Sequence, residues 1–222
     1  MCGQAPQQAH KWFDSGVHIE IQRLTKAEFS FLVPRLVDIY MEAMGYPQTM
    51  RAQRLRVWRG EVTWPGFCAV AAISDNSVIG VAYGFLGVRE RWWDQQLVKA
   101  LTQQRPDGML SDDDRALLAN YFEIAEVHVD PRHQGRGIGA AMLRELLAST
   151  SARWAVLSTP EVDGEANNAF GLYRKFGFQD VARNFYYGSD PRPFAILALD
   201  MAGTPRVCLL YTSPSPRDAT LS

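Results

Sequence analysis

The sequence predicts one α/β domain built around a mixed β-sheet. Three observations lead to this prediction. Strand and helix patterns alternate along the chain, two apolar runs flank a polar turn as in a β-hairpin, and a later strand runs into a glycine-rich turn that opens a helix. The expected order is β-α-α-β-β-β-α-β-α-β-β, with a helical insertion before the strand that precedes the glycine-rich turn. No repeat or flexible linker divides this order, so we expect a single domain over residues 16–203.

The N-terminal part of the domain should begin with a strand and a helix. Residues 1–15 are expected to be a disordered leader, after which residues 17–24 alternate well enough to form a strand. Thr25 can cap a helix over residues 26–44. Within that helix, Pro34 is expected to cause a kink or a break, because proline lacks a backbone N–H.

The rest of the chain continues the alternation. In chain order, we predict a helix over residues 51–62, hairpin strands over 67–73 and 78–85, a strand over 121–129, a helix over 137–149, a strand over 154–158, a helix over 165–176, and strands over 178–187 and 194–200. An insertion over residues 89–120 should hold two short helices, the second of them capped by Ser111.

The C-terminal residues 207–222 break with the rest of the chain. Two Ser-Pro pairs and the lack of any helix or strand period leave them no packing face. The run from Cys208 to Asp218 resembles a translated sequencing adapter, so we expect a non-native tail outside the domain. An ordinary disordered tail is the alternative, and in neither case is a function expected of Cys208.

Composition limits the classes of partner. The 222 residues are 47% hydrophobic, and their formal net charge is -1. This charge gives no general attraction to phosphate backbones or anionic lipid, so neither nucleic acid nor a membrane is expected as a partner. No apolar run approaches the roughly 18 residues of a membrane span, and no signal-peptide core is present, so a cytoplasmic protein is expected. The spacing of the cysteines and histidines predicts no metal site.

The most informative segment is the glycine-rich turn in residues 127–140, Val-His-Val-Asp-Pro-Arg-His-Gln-Gly-Arg-Gly-Ile-Gly-Ala. Gly135, Gly137 and Gly139 let the backbone approach an anion closely. The N-terminus of the following helix adds roughly half a positive charge, and Arg136 can add a full one. The segment therefore predicts a binding site for a diphosphate.

Two nucleotide-binding patterns are alternatives for this turn. A nucleoside-triphosphate loop needs Gly-Lys-Ser/Thr, which is absent. A dinucleotide fingerprint is closer, because Gly135, Gly137 and Ala140 fit its spacing and Glu161 lies about 20 residues further on. That fingerprint places its first glycine at the end of the strand, whereas residues 130–134 intervene here. A dinucleotide-dependent oxidoreductase is thus the less favoured alternative.

Two motifs resemble those of the GNAT N-acetyltransferase superfamily. Residues 134–139, Gln-Gly-Arg-Gly-Ile-Gly, resemble motif A of that family, and residues 169–178, Ala-Phe-Gly-Leu-Tyr-Arg-Lys-Phe-Gly-Phe, resemble its motif B. Their order and their separation of about 30 residues also match. One departure is Ala166, which stands where the family often has an asparagine, with Asn167 one position later. The resemblance implies the GNAT fold as far as Asp200 and acetyl-CoA as co-substrate, with no metal.

The resemblance also implies site residues. Motif A would bind coenzyme A through Val127, His128, Val129, Gln134, Gly135, Arg136, Gly137, Ile138, Gly139 and Ala140. Tyr173 would be the general acid for the leaving thiolate, although its apolar helix stripe alone is typical of a core tyrosine. Glu123 and Glu126 are the candidate bases, and Glu161 is a third choice. Strand alternation puts Glu123 and Glu126 on opposite faces unless the strand is bulged.

The predicted function is direct transfer of an acetyl group from acetyl-CoA to a primary amine, by a monomer or homodimer. The acceptor would be a small-molecule or peptide amine. An aromatic pocket for a cationic amine could be lined by Tyr40, Tyr83, Trp92, Trp93 and Tyr186, although packing is the commoner role of a tryptophan pair. The alternative is a GNAT-like module that senses acyl-CoA without turnover. The candidate acid and bases favour the enzyme.

Overall fold

A computed structural model describes residues 10–14, 17–188 and 190–202. The strands in these ranges are β1 His10–Asp14, β2 Val17–Leu24, β3 Cys68–Ser74, β4 Ser77–Leu86, β5 Tyr121–Val129, β6 Trp154–Pro160, β7 Gln179–Phe185 and β8 Phe194–Asp200. The α-helices are α1 Lys26–Met44, α2 Arg51–Glu61, α3 Trp92–Gln103, α4 Asp112–Ala119, α5 Ile138–Ala148 and α6 Asn168–Phe176. The predicted α/β class with a mixed sheet is confirmed.

The sheet opens between β5 and β6. The strand order is β1-β2-β3-β4-β5-β6-β8-β7, and β5 and β6 are parallel, whereas the other neighbours are antiparallel. Strands β5 and β6 pair only from Tyr121–Trp154 to Glu123–Val156. Beyond Glu123, β5 continues to Val129, and within the described residues it pairs there with β4 alone. One edge of β5 therefore faces an opening in the sheet.

Helices cover both faces of the sheet. Helix α5 buries Met142 and Leu146 in a core with apolar residues of β2–β6. On the opposite face, α1 buries Phe29 and α2 buries Trp58 against side chains of β4. The inserted helix α3 buries Leu97 against β7 and β8. Because each helix presents one apolar stripe, this layering follows from the 3.6-residue spacing in the sequence.

Helix α1 runs through Pro34, so of the kink or break that we expected, the break is wrong. A capping box joins Thr25 and Glu28 at its start. Val33 and Leu36, on either side of the proline, are both completely buried. Tertiary packing around Pro34 thus offsets the loss of one helical hydrogen bond.

The first strand lies in a part of the chain where we expected a disordered leader. His10–Asp14 pairs antiparallel with β2 and precedes the predicted order of elements. This pairing satisfies backbone groups that would otherwise form an open sheet edge. The rest of the predicted leader, residues 1–9 and 15, lies outside the described residues, as does the predicted tail over residues 207–222.

None of the helices in the described ranges has both the length and the apolar character that a bilayer span requires. The same part of the chain holds no group of three or more His, Cys, Asp or Glu side chains that could bind a metal ion.

Candidate active site

The glycine-rich turn forms an open cradle at the N-terminus of α5. Gly135 and Gly137 have φ values of 78° and 77°, which side chains disfavour. A Cβ atom added at either position would meet no atom within 4 Å, so the space outside the turn is clear. Gly137 is the N-cap of α5 and supplies no side-chain cap. The N–H groups of the first helical turn can therefore bind an anion.

A buried aspartate, Asp130, fixes the segment between β5 and the glycine-rich turn by hydrogen bonds. The carboxylate of Asp130 is completely buried and accepts hydrogen bonds from Arg132 Nη2 at 2.6 Å and Arg35 Nη2 at 3.2 Å. These donors, above all Arg132, keep the pKa of Asp130 well below its ordinary value. Gln134 Nε2 then donates to the carbonyl of Val129 at 3.0 Å, which ties the turn to the end of β5.

The open edge of β5 presents two backbone amides. The amide of Asp130 donates to the carbonyl of Ile79 on β4 at 2.8 Å. Because successive amides of a strand point to opposite sides, the amides of Val127 and Val129 point away from β4, towards the opening in the sheet. The amide of His128 points towards β4 instead.

A β-bulge brings the two predicted bases to one face. In the β4–β5 ladder, Tyr83 lies opposite Glu126 and Phe85 lies opposite Glu123, while Ala125 has no partner on β4. Tyr83 and Phe85 point to the same face because they are two residues apart. Residues opposite each other in a ladder share a face, so Glu123 and Glu126 also lie together.

A third carboxylate joins these two from α2. Glu61 accepts a hydrogen bond from the hydroxyl of Tyr83 at 2.6 Å. Glu126 Oε2 lies 2.5 Å from His128 Nε2, and the His128 ring packs edge-on against Tyr40 at 5.0 Å. We call Glu61, Glu123 and Glu126 the carboxylate cluster. The side chain of His128 belongs with this cluster, not with the glycine-rich turn.

Two members of the carboxylate cluster, Glu61 and Glu123, have raised pKa values. Burial and the nearby charge of Glu61 raise the pKa of Glu123 well above its ordinary value. Burial and the charge of Glu126 raise the pKa of Glu61 to about 7, although the hydrogen bond from Tyr83 acts in the opposite direction. A carboxyl group that titrates near neutral pH is suited to accept a proton from a substrate.

The predicted general acid is buried on α6. Tyr173 is 8% exposed, and its ring packs edge-on against Phe178 at 5.7 Å. Burial raises the pKa of Tyr173, and the charge of Glu126 raises it further. The phenol is therefore protonated at neutral pH and lies within electrostatic range of the carboxylate cluster.

Two polar residues near α6 are occupied by structural contacts. Arg183 Nε and Nη2 each donate to Glu161 at 3.1 Å, and the Asn184 amide donates at 2.6 Å. These contacts lower the pKa of Glu161, so the third candidate is a weak base. Asn167 Oδ1 accepts from the amide of Phe170 at 2.9 Å and caps α6.

The predicted aromatic residues lie in different surroundings. Tyr40 and Tyr83 are buried beside the carboxylate cluster, where Tyr83 donates to Glu61 and Tyr40 packs against His128. Trp92 and Trp93 instead pack against the rings of Tyr187 and Tyr121. Tyr186 is 55% exposed. The structure therefore assigns Trp93 to packing of the insertion, whereas Trp92 stays 56% exposed beside Tyr187.

Comparison with known proteins gives one family. The family described as acetyltransferase (GNAT) domain matches residues 53–180. A GCN5-like protein acetyltransferase of Mycobacterium tuberculosis is 37% identical over 183 residues, which cover 72% of this chain and 87% of that protein.

Solved structures share the fold at low sequence identity. A GNAT-family structure from Desulfovibrio desulfuricans has a TM-score of 0.57 and 16% identity, covering 83% of this chain and 99% of that one. The yncA structure from Salmonella typhimurium, determined with acetyl-CoA, has a TM-score of 0.54 and 15% identity, covering 89% and 98%.

Proposed function

We propose that this chain, which belongs to the GNAT family of acetyltransferases, transfers the acetyl group of acetyl-CoA to a primary amine that binds at the carboxylate cluster. The chain is an acetyltransferase by its family membership; the acceptor, the mechanism and the residue roles are our proposal. One observation carries it. The open edge of β5 leads from the anion-binding turn to Glu123 and Glu126.

Coenzyme A would bind along this edge. The backbone from Gln134 to Ala140 would hold the diphosphate, with Arg136 adding a positive charge. The amides of Val127 and Val129 would donate to the pantetheine arm and to the thioester oxygen. The clear space outside Gly135 and Gly137 supports this placement. The acetyl-CoA in the Salmonella typhimurium structure supports the choice of co-substrate.

Amide formation requires that an ammonium group lose two protons. The first must leave before attack, so that the nitrogen has a free lone pair. The nitrogen then attacks the thioester carbon, and the second proton leaves to Glu123 or Glu126 as the amide forms. The C–S bond breaks, and Tyr173 donates its phenolic proton to the departing thiolate. No covalent intermediate with the enzyme forms.

A protein amine is the acceptor class that we favour. The related Mycobacterium tuberculosis enzyme is named a protein acetyltransferase. The carboxylate cluster suits a cationic group such as a lysine side chain. We propose that the enzyme acts in the cytoplasm as a monomer or homodimer.

A thiol-release assay tests this function. Acetyl-CoA is incubated with the protein and with peptides carrying a lysine or a free N-terminus, polyamines or amino-sugar antibiotics, and mass spectrometry follows each amine. We expect amine-dependent thiol release and one added acetyl group, largest for lysine peptides. Binding of acetyl-CoA without thiol release in any mixture would instead favour the sensing module.

A further inference from the structure

Glu61 reaches the carboxylate cluster from a different element than the other two acids. It is the last residue of α2, whereas Glu123 and Glu126 lie on β5. Its carboxylate accepts a hydrogen bond from the hydroxyl of Tyr83, and Tyr83 lies directly opposite Glu126 in the β4–β5 ladder. Glu61 therefore faces the strand acids across the space between helix and sheet.

Tyr83 holds Glu61 in one position. The tyrosine is 1% exposed, and its ring packs edge-on against Phe29 at 5.1 Å and Trp58 at 4.9 Å. A ring packed on two sides cannot follow a moving carboxylate. Its hydroxyl therefore fixes the position of the Glu61 carboxylate.

The charged groups around Glu61 leave it able to exchange a proton near neutral pH. Arg54 on α2 and Arg91 before α3 favour its charged form, while Glu126 disfavours it. Glu123 interacts with it electrostatically. In the described part of the chain, neither arginine forms an ion pair with Glu61, so its second oxygen has no cationic partner.

We propose that Glu61 accepts the first proton of the acceptor, converting the bound ammonium group into the free amine that attacks the thioester. The N–H bond breaks, an O–H bond forms on Glu61, and the electron pair stays on nitrogen. After product release the proton passes to water. Glu123 or Glu126 then needs to take only the second proton. This inference rests on the proposed function and divides its two proton transfers between helix and strand.

The test uses two peptides that differ in the basicity of one group. One carries a single lysine, which is charged at neutral pH with a pKa of about 10. The other carries an aminooxy group in place of the lysine amine, which is uncharged at pH 7. Because only the lysine peptide must lose the first proton, Glu61→Gln should lower its kcat/KM by about 10²-fold. The aminooxy peptide should lose no more than a few-fold, whereas Glu126→Gln or Glu123→Gln should impair both peptides.

A second variant follows the pH dependence. The wild-type rate with the lysine peptide should fall below a pH near the Glu61 pKa of about 7. Tyr83→Phe removes the hydrogen bond that favours the charged carboxylate, so this fall should move to higher pH. Glu61→Asp should keep the fall in rate, and Glu61→Gln should remove it. Glu42→Gln, on the exposed surface of α1, is the matched control. It should change neither the kcat/KM for either peptide nor the pH dependence of the rate.

Separate outcomes decide the two proposals. No thiol release by the wild type with the lysine peptide would overturn the proposed acceptor, and the inference with it. Two other outcomes, with an active wild type, would overturn only the role of Glu61. In the first, Glu61→Gln loses the same activity with both peptides. In the second, the pH profile stays unchanged in both Glu61→Gln and Tyr83→Phe.

Discussion

Arg192 Nη2 donates a hydrogen bond to the hydroxyl of Tyr46 at 3.0 Å and joins two distant loops. Tyr46 follows α1, and Arg192 lies between β7 and β8. The same guanidinium is held by Asp190 at 2.6 Å, and the Tyr46 ring packs against Tyr40 at 5.4 Å. Since Tyr40 contacts His128 in turn, the loops are connected to the carboxylate cluster.

Tyr46→Phe should therefore weaken binding of the amine acceptor. The substitution removes one hydrogen bond to a half-exposed arginine, so the expected loss of unfolding free energy is below about 1 kcal/mol. We expect a several-fold higher KM for the amine and little change in the KM for acetyl-CoA. Initial rates with each substrate varied in turn measure both. A change confined to the KM for acetyl-CoA would show that this contact does not support the carboxylate cluster.

Gly137→Asp should abolish stabilisation by acetyl-CoA. The aspartate would place a negative charge against the diphosphate, at a φ of 77°. For the wild type, acetyl-CoA at 100 times its Kd should increase the free energy of unfolding by about 2.7 kcal/mol, and this increase is measured as a higher Tm. Gly108→Asp is the matched control, since Gly108 has a φ of 64° and open space but lies in the insertion. Stabilisation by NADH and not by acetyl-CoA would favour the oxidoreductase.

Tyr173→Phe should slow turnover without loss of coenzyme binding. Removing a general acid typically lowers the rate by about 10²–10⁴-fold, while the phenylalanine keeps the packing against Phe178. Stopped-flow rates and calorimetric titration with acetyl-CoA separate the two effects. Parallel losses of rate and binding would make Tyr173 a structural residue.

Glu161→Gln should reduce stability and spare the rate. The variant weakens the contacts with Arg183 and the Asn184 amide, at a cost of about 1–3 kcal/mol. Because this carboxylate is ion-paired, no proton transfer should depend on it. Chemical denaturation and kcat at a temperature well below the Tm provide the measurement. A large fall in kcat for the folded variant would restore Glu161 as a candidate base.

The stability of the protein should depend on Glu61 in a pH-dependent way. Its pKa of about 7 in the folded state lies above that of an unfolded glutamate. A raised carboxyl pKa means that its contribution is present at low pH and is lost as pH rises through about 7. The Tm of Glu61→Gln should therefore rise relative to wild type between about pH 5 and about pH 8. A constant difference across this range would show an ordinary pKa for Glu61.

Periodicity and end signals predict most of the elements. The strand over residues 121–129 is confirmed residue for residue, because its flanking turn residues define both ends. The start of α6 differs from the prediction: Gly164 and Glu165 have φ values of 62° and 54°, and Asn167 caps the helix three residues later than expected. The spacing of apolar residues continues through the polar turn before α6, so it does not reveal where the helix is capped.

The candidate site is less predictable than the fold. The glycine-rich turn and Tyr173 lie in local motifs, so the sequence identifies them. The bulge at Ala125 depends on pairing with β4, where a Cβ atom at Gly84 would clash with the carbonyl oxygen of Glu123. A single glycine in a strand does not reveal the position of the bulge on its partner strand. Glu61 ends a helix rich in arginine and comes near Glu123 only through tertiary packing. Long-range contacts of this kind leave no local pattern.

Only three residue pairs of β5 and β6 connect the five strands β1–β5 with the three strands β6, β8 and β7 in the described sheet. A pantetheine arm in the gap would donate and accept where ladder hydrogen bonds are missing, and so would serve as a temporary strand. Each catalytic cycle would then complete the sheet when acetyl-CoA enters and interrupt it again when free coenzyme A departs.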